Sequence, residues 1–348
     1  MSKEMYLDKL SALREASPAR MSPLLDFLEH YRPMENFDGE VEFSSEDIKI
    51  TLGGMVELEI NVPVLQTRLT GTPSAEDAVS NLQIFVFDDA SGTLEAYGNQ
   101  NASSVKLKCL PGVKDIVALV NAPSFSGIAT RAELLSKTSS LSDNAKGDLV
   151  MSGLLEDETL SATSKTVTVD VSRIAAKVTL LGVTNAMDLV ANQKKEFKVT
   201  GVYLINVAGD RAYLADSAPS KWYHKMRYEA SNTLSFLYDA PETVIAHGSS
   251  YSASHHFYCY PNHTDTDASN GMWSARKTRL VVEATLGGET CYYPVTLDEV
   301  AQNTAYTVTL TVTRPGSSSP DEPISTSDAT FTVQVKDWID GADYTEII

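Results

Sequence analysis

The sequence predicts an all-β protein: two antiparallel β-sandwich domains in tandem, with a short helical leader before them and one extra strand behind. Three observations predict it. Apolar residues alternate with polar ones at VELEINVPV (56–64), YTVTLTV (306–312) and ATFTVQVKDW (329–338), the period of a strand with one face buried. Short apolar runs bounded by turn residues recur at LQIFVF (82–87) and DIVALVN (115–121), as in sandwich cores. The chain has 348 residues, 43% of them hydrophobic, enough for two domains with real cores.

Taken in order, residues 1–44 form the leader. Leu7, Leu10 and Leu13, then Leu24, Leu25, Phe27 and Leu28 after Ser22-Pro23, give helical spacing. The segment reads either as an amphipathic leader or as a pro-segment removed on maturation. The first sandwich spans 45–172. Its opening strand places Val56, Leu58, Ile60, Val62 and Val64 on one face, and Pro63 marks an edge strand, because proline has no N–H for a central ladder. Strands at 82–87, 105–109, 115–121 and 165–171 follow, with a short helix near Arg131–Ser136. The second sandwich spans 173–313, with strands at 176–181, 197–206, 254–260, 278–284, 291–295 and 306–312 and long polar loops at 209–232 and 261–275. Residues 314–323 (RPGSSSPDEP) are too rich in Pro and Ser to hold a ladder. The final strand puts Ala329, Phe331, Val333 and Val335 on one face and ends near Trp338. A lone strand on a tether is unstable; it must add to a sheet edge, in its own chain or in another.

Composition excludes several classes. A net charge of −18 argues against nucleic acid, whose phosphates need clustered Lys and Arg. No run reaches the length of a membrane helix. The N-terminus has no apolar core or small-residue cleavage site of a signal peptide, and no cysteine close by to take a lipid; read literally, such a chain stays in the cytoplasm. Cys109, Cys259 and Cys291 are far apart and odd in number; they read as free buried thiols, with a Cys259–Cys291 disulfide as the alternative.

Chemistry is hard to find. No phosphate loop, dinucleotide glycine motif, His-Glu-x-x-His or Gly-x-Ser-x-Gly occurs. His255 and His256 are adjacent and point to opposite faces of a strand. Asp265, Asp267 and Ser269 imitate a calcium loop, but Gly271 comes one place late and Arg276 stands where a glutamate is needed. The carboxylates Asp88-Asp89 and Glu156-Asp157-Glu158 read as solvated turns. Tyr292-Tyr293 and Trp222-Tyr223-His224 have the chemistry to stack on a sugar, or to cap a core. We expect no catalytic residues, no metal and no cofactor.

Three segments together carry a resemblance: VELEINVPVLQTR, ending at Arg68, followed by LTG and LQIFVFDDASG; the stretch Ser172-Arg173-Ile174-Ala175-Ala176-Lys177-Val178; and AYTVTLTVTRPGSSSPDEPISTSDATFTVQVKDW. Over about residues 45–340 the chain resembles the fimbrillin family, the type V pilus subunits of Bacteroidales. The resemblance implies two transthyretin-like domains, export as a lipoprotein to the outer membrane and cell surface, and maturation by an arginine-specific protease. Carried onto this chain, the cut falls after Arg68 and the removed strand is Met55–Leu65. The strand Ala329–Trp338 of one copy then fills the groove of another copy or of a related subunit. The export signal and lipid-bearing cysteine of that pattern are not visible here. The alternative reading is a surface adhesin that binds a host glycan or protein through the loops of its second domain.

The residues alone support strand exchange. Two strands near opposite ends share a period-two apolar face, so one groove can accept either in turn. Burying four or five such side chains is worth about 6–15 kcal/mol before ordering costs, and a head-to-tail pairing of this kind grows into filaments.

Overall fold

The computed structural model describes residues 40–43, 48–51, 55–63, 75–144, 148–161, 163, 165–226, 234–266, 272–322, 324 and 329–338. The helical leader expected over 1–36, Val64 and Arg68 lie outside the described residues. Strands β1 (Glu40–Phe43) and β2 (Ile48–Thr51) pair as an antiparallel hairpin.

The first sandwich is built from β3 (Val56–Asn61), β4 (Leu82–Asp88), β5 (Leu94–Gln100), β6 (Ser104–Cys109) and β7 (Gly112–Val120). It continues through β8 (Thr138–Ser140), β9 (Met151–Leu160), β10 (Lys165–Thr168) and β11 (Ser172–Arg173). One sheet runs β10-β3-β6 and the other β11-β9-β7-β4-β5. Between them Val56, Leu58, Ile60, Leu82, Ile84, Val86, Val105, Ile116, Ala118 and Val120 form a core. The opposite face of the five-stranded sheet is buried too: Phe85, Phe87, Val117 and Leu119 join the core that continues into the second domain. That is why β4 and β7 are continuous apolar runs rather than alternating ones.

The second domain holds β12 (Ala176–Asn185), β13 (Phe197–Ile205), β14 (Val207–Ala208), β15 (Asp210–Ala212), β16 (Trp222–Tyr223), β17 (Tyr238–Asp239) and β18 (Thr243–Val244). Then come β19 (Ser250–Cys259), β20 (Arg279–Leu286), β21 (Glu289–Thr296), β22 (Thr304–Val312) and β23 (Ala329–Asp337). Its sheets run β19-β12-β22-β23 and β17-β13-β20-β21. Both domains place their opening strand in the same way. β3 lies between antiparallel β6 and parallel β10, and β12 lies between antiparallel β19 and parallel β22. These two sheets are therefore mixed, while the five-stranded sheets are antiparallel: the first strand of each domain pairs side by side with a late one, which requires a crossover rather than a hairpin.

The two domains are joined by more than the chain. β8 of the first pairs with β15 of the second. Tyr260 Oη donates to Ser139 Oγ at 2.7 Å and accepts from Asn144 Nδ2 at 2.8 Å. Phe125 meets Tyr213 edge-on with centroids 5.4 Å apart.

Several sequence expectations are corrected. β3 is a central strand, not an edge: its ladder ends at Asn61, so Pro63 lies past the positions where an N–H is required. Glu156-Asp157-Glu158 lies within β9, at a register shift where Asp157 has φ +57°. There Glu156 pairs with Arg131 and Glu158 with Lys165. Asp88 receives the buried Lys114 at 3.2 Å. Part of the loop expected at 209–232 is buried: Asp210 and Arg211 sit at the domain joint, where Arg211 donates to the Ile174 carbonyl at 2.8 Å. Cys109, Cys259 and Cys291 are free and buried; burial pushes the Cys259 thiol up to about 12.

Candidate functional site

β3 is the centre of its sheet. Val56, Leu58, Ile60 and Val62 are at most 3% exposed, because alternation points them all into the core between the sheets. On the outer face Glu57 and Glu59 approach Lys108 and Lys106 at 3.6 and 3.7 Å, exposed pairs of small energetic weight. Stability therefore lies in the apolar face and the two ladders. Four buried side chains at about 1.5–3 kcal/mol each contribute about 6–12 kcal/mol. Take β3 away and β6 and β10 are left with unpaired edges flanking an apolar trough.

β23 contrasts with it. Among the described residues it pairs with β22 alone, antiparallel, from Thr304↔Asp337 to Val312↔Ala329. Ala329 and Val333 are buried, while Phe331, Val335 and Trp338 are partly buried against the core. Residues 314–317 ahead of it are pinned rather than loose. Ser317 and Tyr292 exchange backbone hydrogen bonds of 2.8 and 2.9 Å, and Tyr293 Oη donates to the Arg314 carbonyl at 2.9 Å. Gly316 is required there: a Cβ would lie 2.2 Å from the Tyr292 carbonyl oxygen.

The end of β23 meets a polar cluster at the domain junction. Trp338 stacks on Tyr258 with centroids 5.8 Å apart, and the Arg173 guanidinium lies 4.6 Å from its ring. The indole N–H donates to Glu76 Oε2 at 3.2 Å. Glu76 Oε1 accepts from Lys177 at 2.6 Å and from Tyr258 Oη at 2.7 Å. Arg173, 2% exposed, pairs with Asp77 and donates to Asn303 Oδ1 at 3.2 Å. Burial pushes the Glu76 carboxyl up, but the donors Lys177, Tyr258 and Trp338 outweigh it and hold the carboxyl below the usual range.

The structure thus gathers the β3 residues on one buried face and the β23 residues on another, in different domains. The sequence reading missed Glu76, Asp77 and Tyr258; the one signal was Arg173 in an otherwise apolar stretch, a charge that must find partners when buried. The aromatic loop residues are engaged in packing. Trp222 lies against Trp273 at 5.4 Å, and His224 is buried with its ring bonded to the Leu204 carbonyl and the Leu234 N–H. Among the described residues no His, Cys, Asp and Glu group is arranged to hold a metal ion, and no helix is long and apolar enough to cross a membrane.

Residues 57–200 match the family model described as major fimbrial subunit protein (FimA). Over that stretch the sequence is similar to the fimbrial subunit family, and the fold resembles that of solved fimbrillins. A fimbrilin from Porphyromonas gingivalis W83 superposes with a TM-score of 0.61 at 17% identity, covering 81% of this chain and 97% of its own. A protein assigned to cell adhesion from Bacteroides eggerthii DSM 20697 gives 0.65 at 21% identity, over 82% and 97%. The tip fimbrial protein Mfa3 of Porphyromonas gingivalis, solved with a C-terminal truncation, gives 0.53 at 14%, over 82% and 100%. A comparison with curated protein sequences finds no match.

Proposed function

We propose that this fimbrillin-like chain is a structural subunit of a cell-surface pilus, assembled by strand exchange, and not an enzyme. A protease cuts after Arg68; β3 leaves; and the Ala329–Trp338 strand of a neighbouring subunit takes its place between β6 and β10. One observation carries this reading. β3 is the buried centre of its sheet, whereas β23 presents a similar alternating face while held by a single ladder. Losing β3 leaves a groove that must be refilled, and β23 is the strand with less to lose by moving. The match of residues 57–200 to the fimbrial subunit family supports it.

The test is limited trypsin digestion, followed by mass spectrometry and electron microscopy. We expect one early cut after Arg68, loss of the N-terminal segment, and filaments. A clean cut that leaves stable monomers after long incubation overturns self-polymerisation and favours the surface adhesin instead. Deleting residues 329–348 should abolish filaments while leaving the monomer folded.

A further inference from the structure

The C-terminal strand is held at its far end by more than its ladder. Trp338 directly follows β23, and the groups that meet it come from other parts of the chain: Glu76 in the turn Ala75–Asp77, Arg173 on β11, Lys177 on β12 and Tyr258 on β19, with Asp77 behind them as the partner of Arg173. The indole N–H, the ring face and the backbone are all engaged; the Trp338 N–H donates to the Asn303 carbonyl at 3.0 Å.

We propose that this cluster is a latch that keeps the C-terminal strand on its own body until the N-terminal segment is cut. The placement of Glu76 and Asp77 carries the argument. They follow Arg68 closely in sequence. In the intact chain that turn is tied on its N-terminal side to β3, a strand anchored by two ladders. After a cut at Arg68 and departure of β3, the same turn stands near a new chain terminus, and termini fray. Fraying withdraws the Glu76 acceptor from Trp338 and the Asp77 partner from Arg173. The strand then keeps only the β22 ladder and its apolar contacts. One event thus empties the groove and loosens the donor, so uncut subunits do not polymerise early. The latch is a property of the monomer; its role in assembly rests on the strand-exchange reading.

Hydrogen exchange on the full-length chain tests it. In Glu76→Gln and Trp338→Phe, amides of β23 should exchange about tenfold faster than in the parent, the expected effect of losing one hydrogen bond to a charged group, with β12 and β13 unchanged. Trp338→Phe keeps an aromatic ring beside Tyr258 while removing the indole N–H and part of the ring face toward Arg173, so it decides the matter if Glu76→Gln fails to fold. Parent-like exchange in the variants overturns the latch. Parent protein cut at Arg68 should show the same acceleration in β23; exchange unchanged by the cut overturns the coupling. Acceleration without filaments supports the latch and counts against strand exchange, so the two ideas fail separately.

Discussion

At Glu76 a single carboxylate gathers an ammonium, a phenol and an indole N–H. Its titration therefore reports the state of the C-terminal strand. The carboxyl is held below the usual glutamate range, so the folded state binds the proton more weakly than the unfolded state does. Its contribution is fully present above the ordinary value of about 4.3 and is lost as pH falls through the lower folded value. Lys177, Arg173, Tyr258, Trp338 and Asp77 are the groups that face Glu76 or its partners. We expect β23 amides, corrected for intrinsic rates, to lose protection in acid below about pH 4. Glu76→Gln should remove the part of that loss due to Glu76; an acid response identical in parent and variant would assign it to other carboxylates.

Strand by strand, the two mobile candidates differ in how much they bury. Leu58→Ala in β3 leaves a cavity at a site 1% exposed and should cost about 2–5 kcal/mol in urea unfolding. Val333→Ala in β23, where the strand has one neighbour and the side chain is smaller, should cost clearly less. Equal losses would contradict the ranking of the two strands. Both were legible in the sequence because alternation is local: Leu58 to Ile60, or Phe331 to Val333, declares its face without knowledge of the partner. What alternation does not contain is the neighbour. Pro63 suggested an edge, yet the strand stops at Asn61 and sits between two partners. The pairing of Ser139 with Arg211 and the meeting of Glu76 with Trp338 join residues remote in sequence, and no local pattern marks such pairs. Runs such as LQIFVF marked core strands, but not that one face of β4 covers the joint to the next domain.

For the whole molecule, the joint matters more than either sandwich alone. Phe85, Phe87, Leu141 and Val150 from the first domain share one core with Val207, Ala208 and Tyr213 from the second, and β8–β15 adds a ladder across it. The domains should therefore unfold together. Calorimetry is expected to show one transition, with calorimetric and van't Hoff enthalpies in agreement; two resolved peaks would mean that the shared core does not couple them. If subunits exchange strands as proposed, the same joint has a mechanical meaning in the resulting fibre. Tension arriving through a strand seated between β6 and β10 enters the first domain, and tension leaving through β23 exits from the second. The pull crosses from one domain to the other through the connecting chain, the shared core and the β8–β15 pairing. A subunit hinged by a bare linker would first straighten under such a pull; this one is braced, so that stretching the filament strains the exchanged strands before it bends the subunits between them.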